Sequence, residues 1–574
     1  MTITALMRSW TTGRRRVWLE RCIDCAAGLA LAAALVVTLT GGSVRAGPWL
    51  LPVREPWRPA VVAAVLVACR LLMVRLGAAG TGAAHREGPV SDAAIGMLCW
   101  CGVATGVLLW THYQIRFCGG SDSLGYVSAA HAMLNGQLIQ QQPIIRWLPF
   151  PDALSVATPL GWAPGPSGTA IVPGYPLGLP FVMALFLSAA GPGAEFYVAL
   201  AAGIALLALS YLLIARLADW RIAAAAAVVI AFNPAVTNMA IQPMSDVPAA
   251  CWYLLALYVL LAAPAYAAVA GLAAGMAIWT RPSMIFMLPV LLWLIPRSRR
   301  GWLMFTAGLA PVGATIVGLQ WYLYGSPLRT AYGAPPGLFR LSMVALNVPA
   351  YAKWISIIHS PLVFLAFAAG LWRGPRRLVA ASAAGLVLGI LPYLFKAPYF
   401  DDFGLIRYIL PALIPCLLVA LVGAGDLITR SLPRSAAAAA LLVLAAASAA
   451  YSYRVASREG AFSGMIRESR YAAVGEWARD HTPPPSVLLA DVHSGSLRFY
   501  GQRTTLRSDL LPKGALAATV RSLARQGVSC FAALDGEEEE QRFRERFSRE
   551  FGEVSLDPIA RVRDTTIYRL ETTR

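Results

Sequence analysis

Residues 93–126 read AAIGMLCWCGVATGVLLWTHYQIRFCGGSDSLGY. The apolar run Ala93 to Tyr113 stops abruptly, and Cys118-Gly119-Gly120-Ser121-Asp122-Ser123-Leu124-Gly125-Tyr126 follows. A helix crosses a bilayer with about 20 predominantly apolar residues, and Ala93 to Tyr113 meets that length. The polar stretch around Asp122 then lies on one face of a membrane.

The rest of the chain supports this start. Of its 574 residues 57% are hydrophobic and only 14% charged, too apolar for a water-soluble enzyme. The net charge of +18 does not indicate nucleic acid, because Lys and Arg punctuate apolar runs instead of clustering on one polar face. They read as topology signals. The chain has nine cysteines. Cys22-Ile23-Asp24-Cys25 spells C-x-x-C at a membrane entry, with no second pair or His cluster to complete a zinc site, and is read as chance. Only Cys118 and Cys530 fall in regions placed outside, and nothing further in the sequence supports a disulfide between them.

Alternating apolar length with the positive-inside rule threads the chain. Arg14, Arg15 and Arg16 precede the run Ala26 to Leu39, which reads as an uncleaved first span. Val44-Arg45-Ala46 also fits a signal-peptide cleavage site, and in either case Gly47 emerges outside. Pro59 to Ala78 returns inward, the loop with His85 and Arg86 is inside, and Ala93 to Tyr113 carries Asp122 outside. From Tyr113 to Ala170 no window crosses, a length that is unusual for a loop without function. Val172 to Ala189 is short and contains Pro173, Pro176 and Pro180. As a span it would place Arg216, Arg221, Arg297, Arg299 and Arg300 outside, so it is laid on the membrane as an interfacial helix.

The remaining segments alternate: Ala194–Leu217, Ile222–Met239, Val247–Ala263, Ala265–Thr280, Ser283–Pro296, Trp302–Leu323, Ile355–Trp372, Leu378–Phe395, Tyr408–Ile428 and Ala436–Tyr453. Arg373, Arg376, Arg377, Arg430 and Arg434 then all fall inside. The expected fold is a polytopic α-helical membrane protein of about thirteen transmembrane helices with a small C-terminal α/β extracytoplasmic domain. Its parts are an N-terminal segment with two extra helices (1–92), a core (93–453) with outer loop 114–171 and interfacial helix 172–189, and a soluble domain (454–574). The expected address is the inner (plasma) membrane, with the N-terminus cytoplasmic and the tail periplasmic or extracellular. In the tail, helices near Tyr471–Arg479 and Ala515–Arg525 alternate with strands Val487–Ala490, Ser529–Leu534 and Ile567–Leu570. Glu537 to Glu540, followed by Arg542, Arg544 and Arg546, fits a solvated helix with acids at its start and bases further on, rather than a metal site.

Asp122 has two readings. It fits a helix N-cap, with Gly136 as the matching C-cap. It also sits at the level of other charges at span ends: Asp246 at the outer start of one span, Arg281 in an outer hairpin, and Asp401, Asp402 and Arg407 at the outer mouth of another. Charges at a membrane boundary are costly unless paired, so each is a functional candidate beside the plainer readings of snorkelling or a structural ion pair. Together they suit a reaction in which a carboxylate takes a proton while arginines hold an anionic lipid phosphate. Ile171-Val172-Pro173-Gly174-Tyr175-Pro176 fits either a stiff cavity floor or a helix start with proline.

This layout resembles the GT-C superfamily of membrane glycosyltransferases, in particular the branch of protein O-mannosyltransferases and lipid A aminoarabinose transferases. The resemblance covers most of the chain. It rests on Asp122 with Tyr126 in the first large outer loop, Met133-Leu134-x-Gly136, Pro173-Gly174-Tyr175-Pro176, Met244-Ser245-Asp246, Thr280-Arg281-Pro282 and Arg407-Tyr408-Ile409-Leu410-Pro411. It implies transfer, with inversion, of a sugar from a polyprenyl-phosphate donor to a glycan, lipid or protein acceptor of the cell envelope, with membrane lipids as surroundings and no nucleic acid. By the same resemblance Asp122 is the catalytic carboxylate, Arg281 and Arg407 contact the leaving phosphate, and Asp246 lines the cavity or holds a divalent ion. Tyr126, Asp401, Asp402 and Tyr408 join the substrate-binding set. The family often carries an acidic pair where this chain has Asp122-Ser123, and some relatives carry an acid where this chain has Val172. A divalent metal therefore remains open, with Asp122 and Asp246 as its candidate ligands.

The rival reading is a secondary transporter or lipid flippase, which also uses many spans and buried charges. Transporters more often show repeated halves with binding groups at mid-membrane, whereas this chain shows no internal repeat and gathers its charges at one face. A membrane-anchored assembly or sensor protein would have no evident use for the long polar loop.

Overall fold

The computed structural model describes residues 14–40, 44–46, 49–51, 62, 88–329 and 339–573. Apart from Val62, the expected span at 59–78 lies outside these residues, as does the loop with His85 and Arg86. Among the described residues seven helices are long and apolar enough to cross a membrane, or eight if the bent pair Trp220–Phe232 and Pro234–Ala240 is one span. The segments expected at 247–263, 265–280 and 283–296 form shorter apolar helices, Asp246–Ala262, Pro264–Thr280 and Pro282–Leu294. A proline opens each of the last two, where its missing N–H costs nothing. Length does not establish the full expected count.

Two expected spans are broken, each at a residue followed by proline. The segment 222–239 bends by 61° between Phe232 and Pro234. Asn233 leaves helical geometry before Pro234, as residues before proline tend to do, and its side chain caps the next helix by accepting from the amides of Ala235 and Val236 at 3.1 Å. The second break corrects the expected span Ile355–Trp372. Ser360 has φ +64° and Pro361 follows, so the chain forms two helices, Val344–His359 and Leu362–Arg373.

The helix Val344–His359 packs against residues at the end of the bundle that carries Asp122. Its Asn347 amide donates to the carbonyls of Tyr393, Leu394 and Lys396, and its Ile357 carbonyl accepts from the Tyr451 hydroxyl. The second helix packs along Leu410–Ser431. A Cβ on Gly423 would stand 2.2 Å from the Gly370 nitrogen, so the two backbones meet because both positions are glycine.

Residues 114–197 build over the same end. The expected helix start at Val172 is corrected: Ala170–Pro173 is the buried central strand of a three-stranded antiparallel sheet with Gln140–Gln141 and Trp162–Pro164. Pro173 and Pro176 delay the helix to Gly178–Ala190. Its 13 residues rise about 20 Å, less than the hydrocarbon thickness. Gly178 packs on the backbone of Trp279 and Thr280, and past the helix the Phe196 carbonyl accepts from the Gln114 side chain at 2.8 Å. Both ends therefore meet residues at the Asp122 end of the bundle.

The C-terminal unit is a five-stranded sheet in the order Thr504–Arg507, Ser486–Ala490, Ser529–Asp535, Thr565–Thr572, Val554–Val562. The first three strands are parallel and the last two antiparallel to their neighbours. The expected helices and strands form as Gly464–His481, Ser486–Ala490, Leu516–Arg525, Ser529–Asp535 and Thr565–Thr572. The acidic run lies in the helix Gly536–Arg546, with Glu538–Arg542 and Glu540–Arg544 ion pairs four residues apart. Ile144, Leu148, Val156 and Ala157 from the outer loop sit in the same apolar cluster as Val487, Leu489, Leu506 and Cys530 of the sheet. Loop and tail share one core. Cys118 and Cys530 are both free thiols.

Candidate active site

The helix Asp122–Leu134 starts the site. Ser121 is its N-cap residue, without a side-chain capping bond, and Asp122 is the first helical residue. The cap reading of Asp122 is therefore replaced by another: its Oδ1 accepts from the Tyr175 hydroxyl at 2.6 Å and its Oδ2 from Arg407 Nη2 at 2.7 Å. The same Tyr175 hydroxyl meets Ser121 Oγ at 2.7 Å. Tyr175 lies across the helix start because Gly125 has no side chain; a Cβ there would stand 2.4 Å from the ring. At the far end Gly136, with φ +66°, closes a Schellman turn: its amide bonds Met133 and that of Gln137 bonds Ala132.

A second ion pair stands beside the first. Asp246 opens the helix Asp246–Ala262 and accepts from Arg281 Nη1, while Arg281 occupies the break between Ala267–Thr280 and Pro282–Met287. Arg281 also reaches the Arg407 carbonyl at 3.4 Å and the Tyr393 hydroxyl at 3.3 Å, which itself donates to Ser283 at 2.6 Å. Tyr126 and Ser245 bond hydroxyl to hydroxyl at 3.0 Å below Asp122, and burial pushes the Tyr126 phenol up, so it remains a neutral hydroxyl. Tyr408 stacks on Tyr393 at 5.3 Å, with Arg281, Arg407 and Lys396 around its ring and Lys396 Nζ 3.6 Å from the centroid.

These groups come from helix ends and breaks, where apolar helices stop and polar side chains can collect. Three cations, Arg281, Arg407 and Lys396, face two carboxylates. The pairs differ in access: the Asp122 side chain is 34% exposed and that of Asp246 only 2%. Asp122 can meet a substrate; Asp246 is fixed inside.

Asp401 and Asp402 do not join this cluster. Lys353 holds Asp401 at 2.8 and 3.0 Å and Trp354 donates to it at 2.9 Å, while Asp402 is exposed before the 3-10 helix Phe403–Ile409. The donor set does not fit a divalent cation, since each of Asp122 and Asp246 already faces a guanidinium. Among the described residues no three His, Cys, Asp or Glu side chains group as metal ligands. The sequence reading missed Tyr393 and Lys396 as site residues and saw Tyr175 only as part of a floor. Lys396 had a usable signal, a cation at the span end opposite the Arg-rich loops.

Tyr175 also divides two cavities. On one side an apolar groove of about 390 Å³ runs along Leu177, Trp279, Ile316, Leu323 and Leu328. On the other a cavity of about 320 Å³ is walled by Ser121, Thr158, Trp162 and, from the C-terminal sheet, Arg507. Gly174 and Tyr175 line both.

No family model matches the sequence, and no curated protein matches it. Solved structures similar across most of the fold include two of one protein. ArnT from Cupriavidus metallidurans in the apo state aligns with a TM-score of 0.51 at 14% identity, over 82% of this chain and 97% of that one. The crystal structure of the same protein bound to undecaprenyl phosphate aligns with a TM-score of 0.50 at 13% identity over the same shares. Over those shares this chain, with its helical bundle and small C-terminal sheet, has the fold of ArnT.

Proposed function

We propose that the protein is a membrane glycosyltransferase that moves a sugar from a polyprenyl-phosphate donor to a cell-envelope acceptor on the face away from the cytoplasm. The observation that carries this reading is Asp122 itself: a partly exposed carboxylate, gripped by Arg407 and by Tyr175, which lines both an apolar groove and a second cavity. The groove suits the donor's isoprenoid chain, and the second cavity, with Ser121, Thr158 and Arg507 in its wall, suits the acceptor's hydroxyl-bearing end.

Arg281, Arg407 and Lys396 supply the cations for the donor phosphate. As phosphate draws Arg407 away, Asp122 keeps the Tyr175 hydrogen bond on Oδ1 and gains a free Oδ2. The acceptor hydroxyl gives its proton to Asp122 while its oxygen bonds to the anomeric carbon. The bond from that carbon to the phosphate oxygen breaks on the opposite face, and polyprenyl phosphate leaves with the electron pair. Attack from the face opposite the leaving group inverts the anomeric centre. Asp246 keeps Arg281 in place and takes no proton.

Purified protein in lipid nanodiscs, given a radiolabelled polyprenyl-phosphate sugar and a cell-envelope acceptor extract, should transfer label to the acceptor. Asp122→Asn should lose about 10²–10⁴-fold in rate, the usual contribution of a positioned general base. Full transfer by that variant would remove Asp122 from the chemistry. The bond formed by the labelled sugar should carry the anomeric configuration opposite to the donor's.

A further inference from the structure

The backbone leading into Asp122 is held from outside the membrane core. Tyr500 OH accepts from the Cys118 amide at 2.9 Å and meets the Cys118 carbonyl at 3.2 Å, so one side chain engages both main-chain groups of that residue. The Tyr471 ring covers Gly119: a Cβ there would fall within 2.4 Å of three ring carbons. Arg470 fixes this ring, stacking on it at 4.9 Å while pairing with Asp535 at 2.9 Å. On the next turn, Gly495 packs where a Cβ would be 2.0 Å from Leu124, and Ser494 Oγ accepts from the Leu160 amide at 3.2 Å. Tyr471, Ser494, Gly495 and Tyr500 all belong to the C-terminal α/β unit. Between their contacts stands Gly120, with φ +57°, then Ser121 and Asp122.

Short of these contacts, the segment 118–121 has little to hold it. Its own bonds are those between Gly119 and the Ser123 hydroxyl, at 3.2 and 2.9 Å, the Ser121 bond to Tyr175, and the one the Ser121 carbonyl accepts from the Gly125 amide as the helix begins, at 3.0 Å. A residue pair such as Gly119-Gly120 has the largest conformational freedom to lose, so the order must come from neighbours.

We propose that the C-terminal unit positions the general base: Tyr500 and Tyr471 fix the Cys118–Ser121 backbone and thereby the place of the Asp122 carboxylate. They are positioning residues, since neither touches Asp122. The inference rests on Asp122 acting as the base, and it makes the tail a working part of the transferase. Displacing a reacting group by about 1 Å can cost 10²-fold, so the clamp acts on turnover more than on binding.

The test uses the full-length protein in nanodiscs. Tyr500→Phe keeps the ring and removes only the hydroxyl; Gly119→Ala keeps every clamp residue and pushes the Tyr471 ring off. We expect kcat to fall about tenfold in Tyr500→Phe and up to about 10²-fold in Gly119→Ala, with donor and acceptor KM within about twofold of wild type. Amide hydrogen exchange over residues 118–121 should speed up in Tyr500→Phe and stay unchanged in the spans. Unchanged exchange there, or wild-type kcat in both variants, would overturn the clamp. A rise of KM and a fall of the thermal midpoint in step with the loss of kcat would do so as well, by showing a general loss of structure. Asp122→Asn assayed in parallel separates the two ideas: if it retains transfer, the base assignment fails, while the exchange result still decides whether the tail orders this segment.

Discussion

Arg407 Nη2 lies 2.7 Å from Asp122 Oδ2, so in the free protein the candidate base is already half of an ion pair. That pairing offsets the cost of a charge at the membrane boundary, and it gives the phosphate a cation that must change partners. Arg407→Lys should therefore be far from conservative, because Lys offers a point charge in place of a planar fork. A loss of about 10–10²-fold in kcat/KM is expected, of the size seen when one hydrogen bond to a charged group, worth about 1.5–3 kcal/mol, disappears. In a double-mutant cycle with Asp122→Asn the two losses should fall well short of adding, since both residues serve one step. Simple additivity in transfer assays would count against the partner exchange.

The second pair predicts a different phenotype. Asp246 is almost fully enclosed, and Arg281 has three partners there: Asp246, Tyr393 and the Arg407 carbonyl. Breaking a buried pair by removing one charge costs about 3–5 kcal/mol, because the other is left uncompensated. Asp246→Asn should lower the thermal midpoint of the purified protein, whereas Asp122→Asn, at a more open site, should hardly move it. Arg281→Gln added to Asp246→Asn should recover part of the midpoint without recovering transfer.

Lys396 separates phosphate binding from the ion pairs. Its ammonium sits over Tyr408, 3.6 Å from the ring centroid, and among the described residues no carboxylate pairs with it. Lys396→Ala should raise the donor KM about tenfold, the weight of one charge-assisted bond, and leave the acceptor KM and the thermal midpoint near wild type. Wild-type donor KM would take Lys396 out of the phosphate site.

How much of this the sequence could reveal depends on the kind of residue. Asp122, Asp246, Arg281 and Arg407 stood out because a charge at the end of an apolar run is expensive, and the structure brings these four together as two pairs. Lys396 carried the same signal but was absorbed into the boundary of the span Leu378–Phe395. Tyr175 stood out only within the proline-rich motif, without a role of its own, and Tyr393 gave no signal, since aromatic residues are common at membrane interfaces for reasons unrelated to catalysis. The breaks at Asn233-Pro234 and Ser360-Pro361 were written in residue types, yet both sit inside continuous apolar runs, and hydropathy does not register a turn. In the tail, Val554–Val562 escaped notice because it contains Pro558 and charged residues; it is an edge strand, the one place in a sheet where proline is tolerated.

The tail also supplies a pH dependence. Of the four glutamates Glu537 to Glu540, Glu539 alone turns inward, where it accepts from the amides of Asp491 and Asp535 at 3.0 and 3.1 Å. Burial outweighs those two bonds and pushes its carboxyl up to about 7. A carboxyl raised on folding binds its proton more tightly in the native state, so its contribution to stability is complete below its unfolded pKa and is lost as pH rises through the folded one. The stability of the C-terminal unit should fall between about pH 4.5 and 7, by roughly 3 kcal/mol at 1.36 kcal/mol per pKa unit. Asp491 is also raised by burial and adds slope of the same sign, so the difference between wild type and Glu539→Gln isolates Glu539. Thermal midpoints of the full-length protein followed through the C-terminal unit should decline with pH more steeply in wild type than in the variant. Parallel profiles would mean that Glu539 does not change its protonation on folding.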